Sequence, residues 1–98
     1  MDATAIAMNT ELLTVTHQEE GGKTHSLRSL VQEALQHYFS QLEGHDPANL
    51  YDIVLKEMEV PLLKMVLQYT RGNQSKAAII LGISRGTLRK KLDIYNLD

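Results

Sequence analysis

Apolar residues recur along the chain at helical spacing, and the spacing changes character three times. Leu27, Leu30, Val31, Ala34, Leu35, Tyr38, Phe39 and Leu42 fall three and four apart, which predicts an amphipathic helix with Ser26 as its cap and Gly44 as its stop. Its other face is polar. A second helix is predicted from Asp46 and Pro47, or from Asn49, to about Tyr69. Leu50, Ile53, Val54, Leu55, Met58, Leu62, Leu63, Met65, Val66, Leu67 and Tyr69 cover more than one of its faces. A helix apolar on several sides must be surrounded, and four helices offer too few neighbours, so a second copy of the chain is expected against it. Leu50, Val54, Met58, Leu62, Met65 and Val66 are the expected dimer core. Pro61 lies inside this run, where its ring presses on the carbonyl of Glu57. Either two helices part there or one helix kinks, and the apolar pattern on both sides favours one kinked helix.

Ahead of these helices the pattern is weaker. Met1 to Thr10 shows no periodicity and is expected to be disordered. LLTVTHQ is rich in β-branched residues, EEGG supplies a turn and KTH leads back, which outlines a small β-hairpin. Residues 1–26 therefore read as a flexible arm, residues 27–70 as a helical dimerisation core and residues 71–98 as a separate C-terminal unit.

That unit, NQSKAAIILGISRGTLRKKL from Asn73 to Leu92, reads as a helix-turn-helix. Gln74 opens a short helix, small Ala78 sits four residues on where two helices cross closely, and Gly82 follows four later where the chain must turn. Glycine takes the left-handed conformation that ends a helix, Ile83 can plug the corner, and Ser84 is a good N-cap for the next helix. In that helix Leu88 and Leu92 point inward. Arg85 and Arg89 share an outward face flanked by Gly86, Lys90 and Lys91.

The outward face suits DNA. Arginine presents a planar fork of donors that matches O6 and N7 of guanine in the major groove, and Arg85 stands in the first turn, where recognition helices meet base edges. Arg85 is the expected base reader, with Ser84 and Arg89 beside it. Asn73, Gln74, Lys76, Thr87, Lys90, Lys91 and Arg71 carry amide, hydroxyl, ammonium or guanidinium donors suited to phosphate oxygens. A merely solvated basic helix end would require none of the corner glycine, the small Ala78 or the paired arginines, and their coincidence favours DNA.

Charge supports this once the chain is divided. The whole chain of 98 residues has a net charge of -2, but residues 1–70 carry 4 basic and 10 acidic side chains whereas residues 71–98 carry 6 and 2. The C-terminal end would turn to nucleic acid and the acidic remainder away from it. There is no cysteine, which excludes disulfides and thiolate metal sites and is compatible with the cytoplasm. No basic leader or bilayer-length apolar run is visible, so a soluble protein without membrane contact is expected. Glu33 and His37 lie four apart, yet two ligands do not make a site and His17, His25, His37 and His45 are scattered. Neither metal nor cofactor is expected, and without a nucleotide loop, nucleophile–base pair or carboxylate cleft neither is an enzyme.

With these residues in view, the run TRGNQSKAAIILGISRGTLRKKL resembles the C-terminal half of Fis, the bacterial nucleoid protein family named for stimulating DNA inversion. HYFSQLEG and LYDIVLKEMEVPLLKMVLQYTRGNQ extend the resemblance over the last three-quarters of the chain. It implies an all-α fold: a four-helix homodimer with C-terminal helix-turn-helix units, preceded by the hairpin arm. It also implies close-set recognition helices that bend double-stranded DNA around an A/T-rich centre, transcription regulation or activation, and a place in the bacterial nucleoid. Asn73, Arg85, Thr87, Arg89 and Lys90 match the residues the family uses for DNA. Lys76 stands in place of an expected Arg, Ser84 of an Asn, and Asp93 and Ile94 of lysines, which implies altered base preference and looser contact with flanking DNA. The family's arms imply a DNA invertase or the transcription machinery as further partners. Here the tip, Glu19, Glu20, Gly21 and Gly22, has no apolar contact group, which argues against recombinase activation. The contrasting reading is a helical protein-interaction module whose basic tail meets an acidic protein.

Overall fold

The computed structural model describes residues 13–97. The expectation of disorder for Met1 to Thr10 lies outside them. Strands β1 (Thr14–His17) and β2 (Lys23–Ser26) are followed by helices α1 (Leu27–Ser40), α2 (Leu50–Tyr69), α3 (Gln74–Leu81) and α4 (Arg85–Tyr95). The fold is thus helical with an N-terminal hairpin. Two compact units divide at Asp46 and Pro47, so α2 belongs with α3 and α4 and the sequence-based line at residue 70 falls inside a packed unit.

In the first unit β1 and β2 pair antiparallel, with Thr14 opposite Ser26 and His17 opposite Lys23. The turn is a single 3-10 turn, Gln18–Glu20, closed by Gly21 and Gly22 at φ 72° and 79°, a conformation that glycine takes without strain. Cross-strand contacts hold the register: the Thr16 and Thr24 hydroxyls are 2.7 Å apart, and the His17 and His25 rings lie 5.4 Å apart. Ser26 ends β2 and caps α1, its hydroxyl accepting from the Ser29 amide at 3.1 Å.

Helix α1 ends earlier than the apolar stripe predicts. The Ser40 hydroxyl donates to the His37 carbonyl at 2.6 Å, the Gln41 and Leu42 amides fall back on the carbonyls three residues earlier, and Glu43 turns to φ 52°. Tightened i−3 bonds close the last turn, leaving Leu42 beyond the helix and Gly44 in the following loop. No residue of α1 is buried, and Leu27, Val31 and Phe39 are open.

The second unit contains the buried core. Asn49, the later of the two expected starts, is the N-cap residue of α2, and the helix runs unbroken through Pro61. Around Leu63, Ala77, Ala78, Leu88 and Leu92, all buried, pack Val66, Leu67, Leu81, Ile83, Tyr95 and Leu97. Val66, expected at the dimer interface, thus packs inside its own chain, because it lies on the side of α2 that carries Leu63. Leu50 and Val54 are half-buried. Met58, Leu62 and Met65 are open, and with Tyr51 and Tyr69 they form one stripe at the alternating four- and three-residue spacing that also includes half-buried Leu55.

Candidate nucleic-acid interface

Three helix ends in this unit are closed the same way, and the first two closures lead the chain into the next helix. After α2 the Gly72 amide donates to the Leu67 carbonyl at 2.8 Å and the Arg71 amide to Gln68 at 3.1 Å, with Arg71 at φ 54°. After α3 the Ile83 amide reaches the Ala78 carbonyl at 3.1 Å and Gly82 that of Ile79 at 3.2 Å, with Gly82 at φ 74°. After α4 the Leu97 amide donates to Leu92 at 2.9 Å while Asn96 takes φ 54°. Each is a Schellman closure, in which a left-handed residue lets its own amide and the next one satisfy stranded carbonyls; after α3 and α4 the next residue, Ile83 or Leu97, is apolar and packs back onto the core. Ile83 does so at the central corner, as its position predicts.

Side-chain caps begin the two short helices. The Asn73 carboxamide oxygen accepts from the Lys76 amide at 3.1 Å, and the Ser84 hydroxyl accepts from the Thr87 amide at 3.0 Å. Asn73 keeps its amide hydrogens for an outside acceptor. The Ser84 hydroxyl also donates to the Thr87 hydroxyl at 2.9 Å, so both its bonding directions are used within the cap. Ser84, expected among the base contacts, therefore sets the helix start, whereas Thr87 retains a hydroxyl hydrogen to donate.

Leu88 and Leu92 are fully covered, which fixes the opposite side of α4 outward. Arg85, Arg89, Thr87 and Lys90 of α4 are exposed, and among the described residues no ion pair engages either arginine or Lys90. Lys76 and Arg71 are exposed and Gln74 is half-buried at the start of α3. Amides at the starts of α3 and α4 add the positive ends of two helix dipoles. The motif therefore offers an anion mobile donors on its outer side and fixed partial charges at its helix ends.

Lys91, one of the expected phosphate contacts, makes an ion pair within the chain. Its ammonium lies 2.6 Å from Glu59 Oε2, and the other carboxylate oxygen, Oε1, accepts from the Tyr95 hydroxyl at 2.7 Å. Lys91 and Tyr95 are one turn apart on the edge of α4 that borders the core, so their side chains turn to α2 rather than outward. Glu59 is only 8% exposed. Burial acts to raise its carboxyl, but hydrogen bonds from Lys91 and Tyr95 and the Lys91 charge outweigh that and hold it below the ordinary 4.5. The bond to Glu59, reinforced by burial and by the charges of Glu59 and Asp52, raises the Tyr95 hydroxyl above 10.0. Neither Glu59 nor Tyr95 stood out in the sequence. One signal was present: Glu59, Leu63, Val66 and Thr70 follow a four-three-four spacing, which puts a carboxylate in a row of core positions.

Comparison with known proteins agrees with this geometry. Residues 54–95 match the family model described as bacterial regulatory protein, Fis family, and residues 1–47 match that of the DNA-binding protein Fis N-terminal domain. The chain is 50% identical over 93 residues to DNA-binding protein Fis of Enterobacter sp. (strain 638), covering 93% of this chain and 95% of the relative. It is 55% identical over 86 residues to that of Tolumonas auensis, covering 87% of each. The protein of that name in Yersinia pestis (strain Pestoides F) is 50% identical over 93 residues, 93% and 95% of the two chains. No helix of the described residues is long and apolar enough to cross a membrane.

Proposed function

Because the chain belongs to the Fis family of bacterial DNA-binding regulatory proteins, a non-enzymatic family, we propose that it acts as a homodimer that reads and bends duplex DNA in the bacterial nucleoid to regulate transcription. One observation carries the reading: α4 is anchored by two fully covered leucines and leaves Arg85, Arg89, Thr87 and Lys90 exposed, the two arginines and Lys90 without an ion pair among the described residues. Arg85, in the first turn, reads guanine in each half-site, and Arg89 supports it. Asn73, Gln74, Lys76, Thr87, Lys90 and Arg71 bind phosphate. Bending over an A/T-rich centre adds preference where no side chain reaches.

The exposed stripe Tyr51, Met58, Leu62, Met65 and Tyr69 supports the dimer, since heptad-like apolar spacing suits a second copy of α2 and a single helix-turn-helix makes few contacts. The test is binding of a duplex with two guanine-bearing half-sites around an A/T-rich centre, for wild type and Arg85→Ala, across a salt series. Wild type is expected to bind as one dimer and to prefer this duplex to a scrambled one. Arg85→Ala should lose that preference, worth about ten- to a hundredfold per base contact removed. Equal, weak and indiscriminate binding by both proteins would instead favour a protein partner.

A further inference from the structure

One cation of the recognition helix is already spoken for. Lys91 Nζ lies 2.6 Å from Glu59 Oε2, and Tyr95 holds the remaining carboxylate oxygen at 2.7 Å, so each oxygen of one nearly buried group is matched by a donor one helical turn from the other. The Lys91 side chain is 28% exposed, which leaves its stem free to swing toward solvent. We infer that Glu59 is a positioning residue, which restrains the sequence-independent part of DNA binding by withholding Lys91 from the phosphate backbone. This rests on the DNA-binding reading above.

Competition between two anions decides the matter. A phosphate at the surface attracts Lys91 through water and salt, whereas the Glu59 carboxylate attracts it at contact distance in a drier setting. Moving the ammonium to phosphate would leave the carboxylate nearly buried with one neutral donor, and an uncompensated buried charge is strongly unfavourable. Sequence-independent affinity follows the number of phosphates neutralised, whereas base reading by Arg85 does not depend on Lys91. Removing one cation per protomer from the phosphate count therefore lowers affinity for any duplex and flattens its salt dependence, while the base preference stays with Arg85.

The experiment measures affinity for scrambled duplex and for the half-site duplex over a salt series, with wild type, Glu59→Gln, Lys91→Gln and the double variant. Gln keeps an acceptor for Tyr95 but gives up the charge that holds Lys91. Glu59→Gln is expected to steepen the slope of log affinity against log salt by about 1.8 for a dimer, since two lysines are released. Between roughly 50 and 200 mM salt that adds about a tenfold loss of affinity, for the scrambled and the half-site duplex alike. Lys91→Gln alone should leave the wild-type slope unchanged, and the double variant should return to it. A role in folding alone would not move the slope. The inference is overturned if Lys91→Gln flattens the wild-type slope, because Lys91 is then already on phosphate, or if folded Glu59→Gln keeps the wild-type slope. Should circular dichroism show Glu59→Gln unfolded, the Lys91→Gln slope decides alone. A wild type that binds neither duplex at any salt overturns the DNA reading itself, and this inference with it.

Discussion

Leu88 sits where every constraint on the recognition helix meets. It is fully covered, it stands in the chain between the exposed Arg85 and Arg89, and it shares one buried cluster with the small alanines of α3. Truncation to Ala would leave a cavity bounded by neighbours that cannot collapse, at a cost of about 2–5 kcal/mol. Denaturant unfolding of Leu88→Ala should therefore show a lower midpoint with little change in slope, and unchanged stability would mean that the site relaxes freely. Neighbouring residues divide the work differently. Arg85 and Lys90 are exposed, whereas Ser84 spends both directions of its hydroxyl on starting the helix. Residues of these kinds were legible in the sequence because their roles are local. The i, i+4 spacing of Leu88 and Leu92 names the covered side, and Gly82 followed by Ser84 names the corner and the cap.

Non-local pairings were not legible in the same way. Glu59 and Tyr95 are 36 residues apart, and nothing in the spacing of either helix states that one will meet the other. The same limit explains Lys91, whose type and position suit phosphate until α2 is brought alongside. It also bears on Val66, apolar like its neighbours, which is partly buried against the core of its own chain. Helix α1 ends before its apolar stripe does for a local reason: Ser40 takes a carbonyl with its side chain and the last amides shift to i−3 bonds, a competition that the apolar stripe does not register. The tie between α2 and α4 has a pH signature. Glu59, held below 4.5, contributes stability that is fully present above that value and is lost as pH falls through its lowered native value. Tyr95, raised above 10.0, contributes stability that is present below 10.0 and is lost as pH rises through its raised native value. The difference in thermal midpoint between wild type and Glu59→Gln should thus be constant from about pH 5 to 9 and shrink beyond either end. A difference that grows toward acid would contradict the tie.

For the whole molecule the open question is what covers α2. Tyr51, Met58, Leu62, Met65 and Tyr69 leave a continuous apolar stripe in solvent, with Met65 62% exposed, while the opposite side of the helix holds up the recognition unit. If a second copy covers it, Met65→Glu should yield monomers in sedimentation while leaving the helix-turn-helix folded, since Met65 is no part of that core. Persisting dimers would place the contact elsewhere. The stripe also bears on how such a protein would answer to its own abundance. Where dimers are the minor species, their number follows the square of the chain concentration, so a tenfold fall in the amount of chain lowers the occupancy of a weak site about a hundredfold. An uncovered row of five side chains would thus let a cell grade many promoters by the rate at which it makes one small protein.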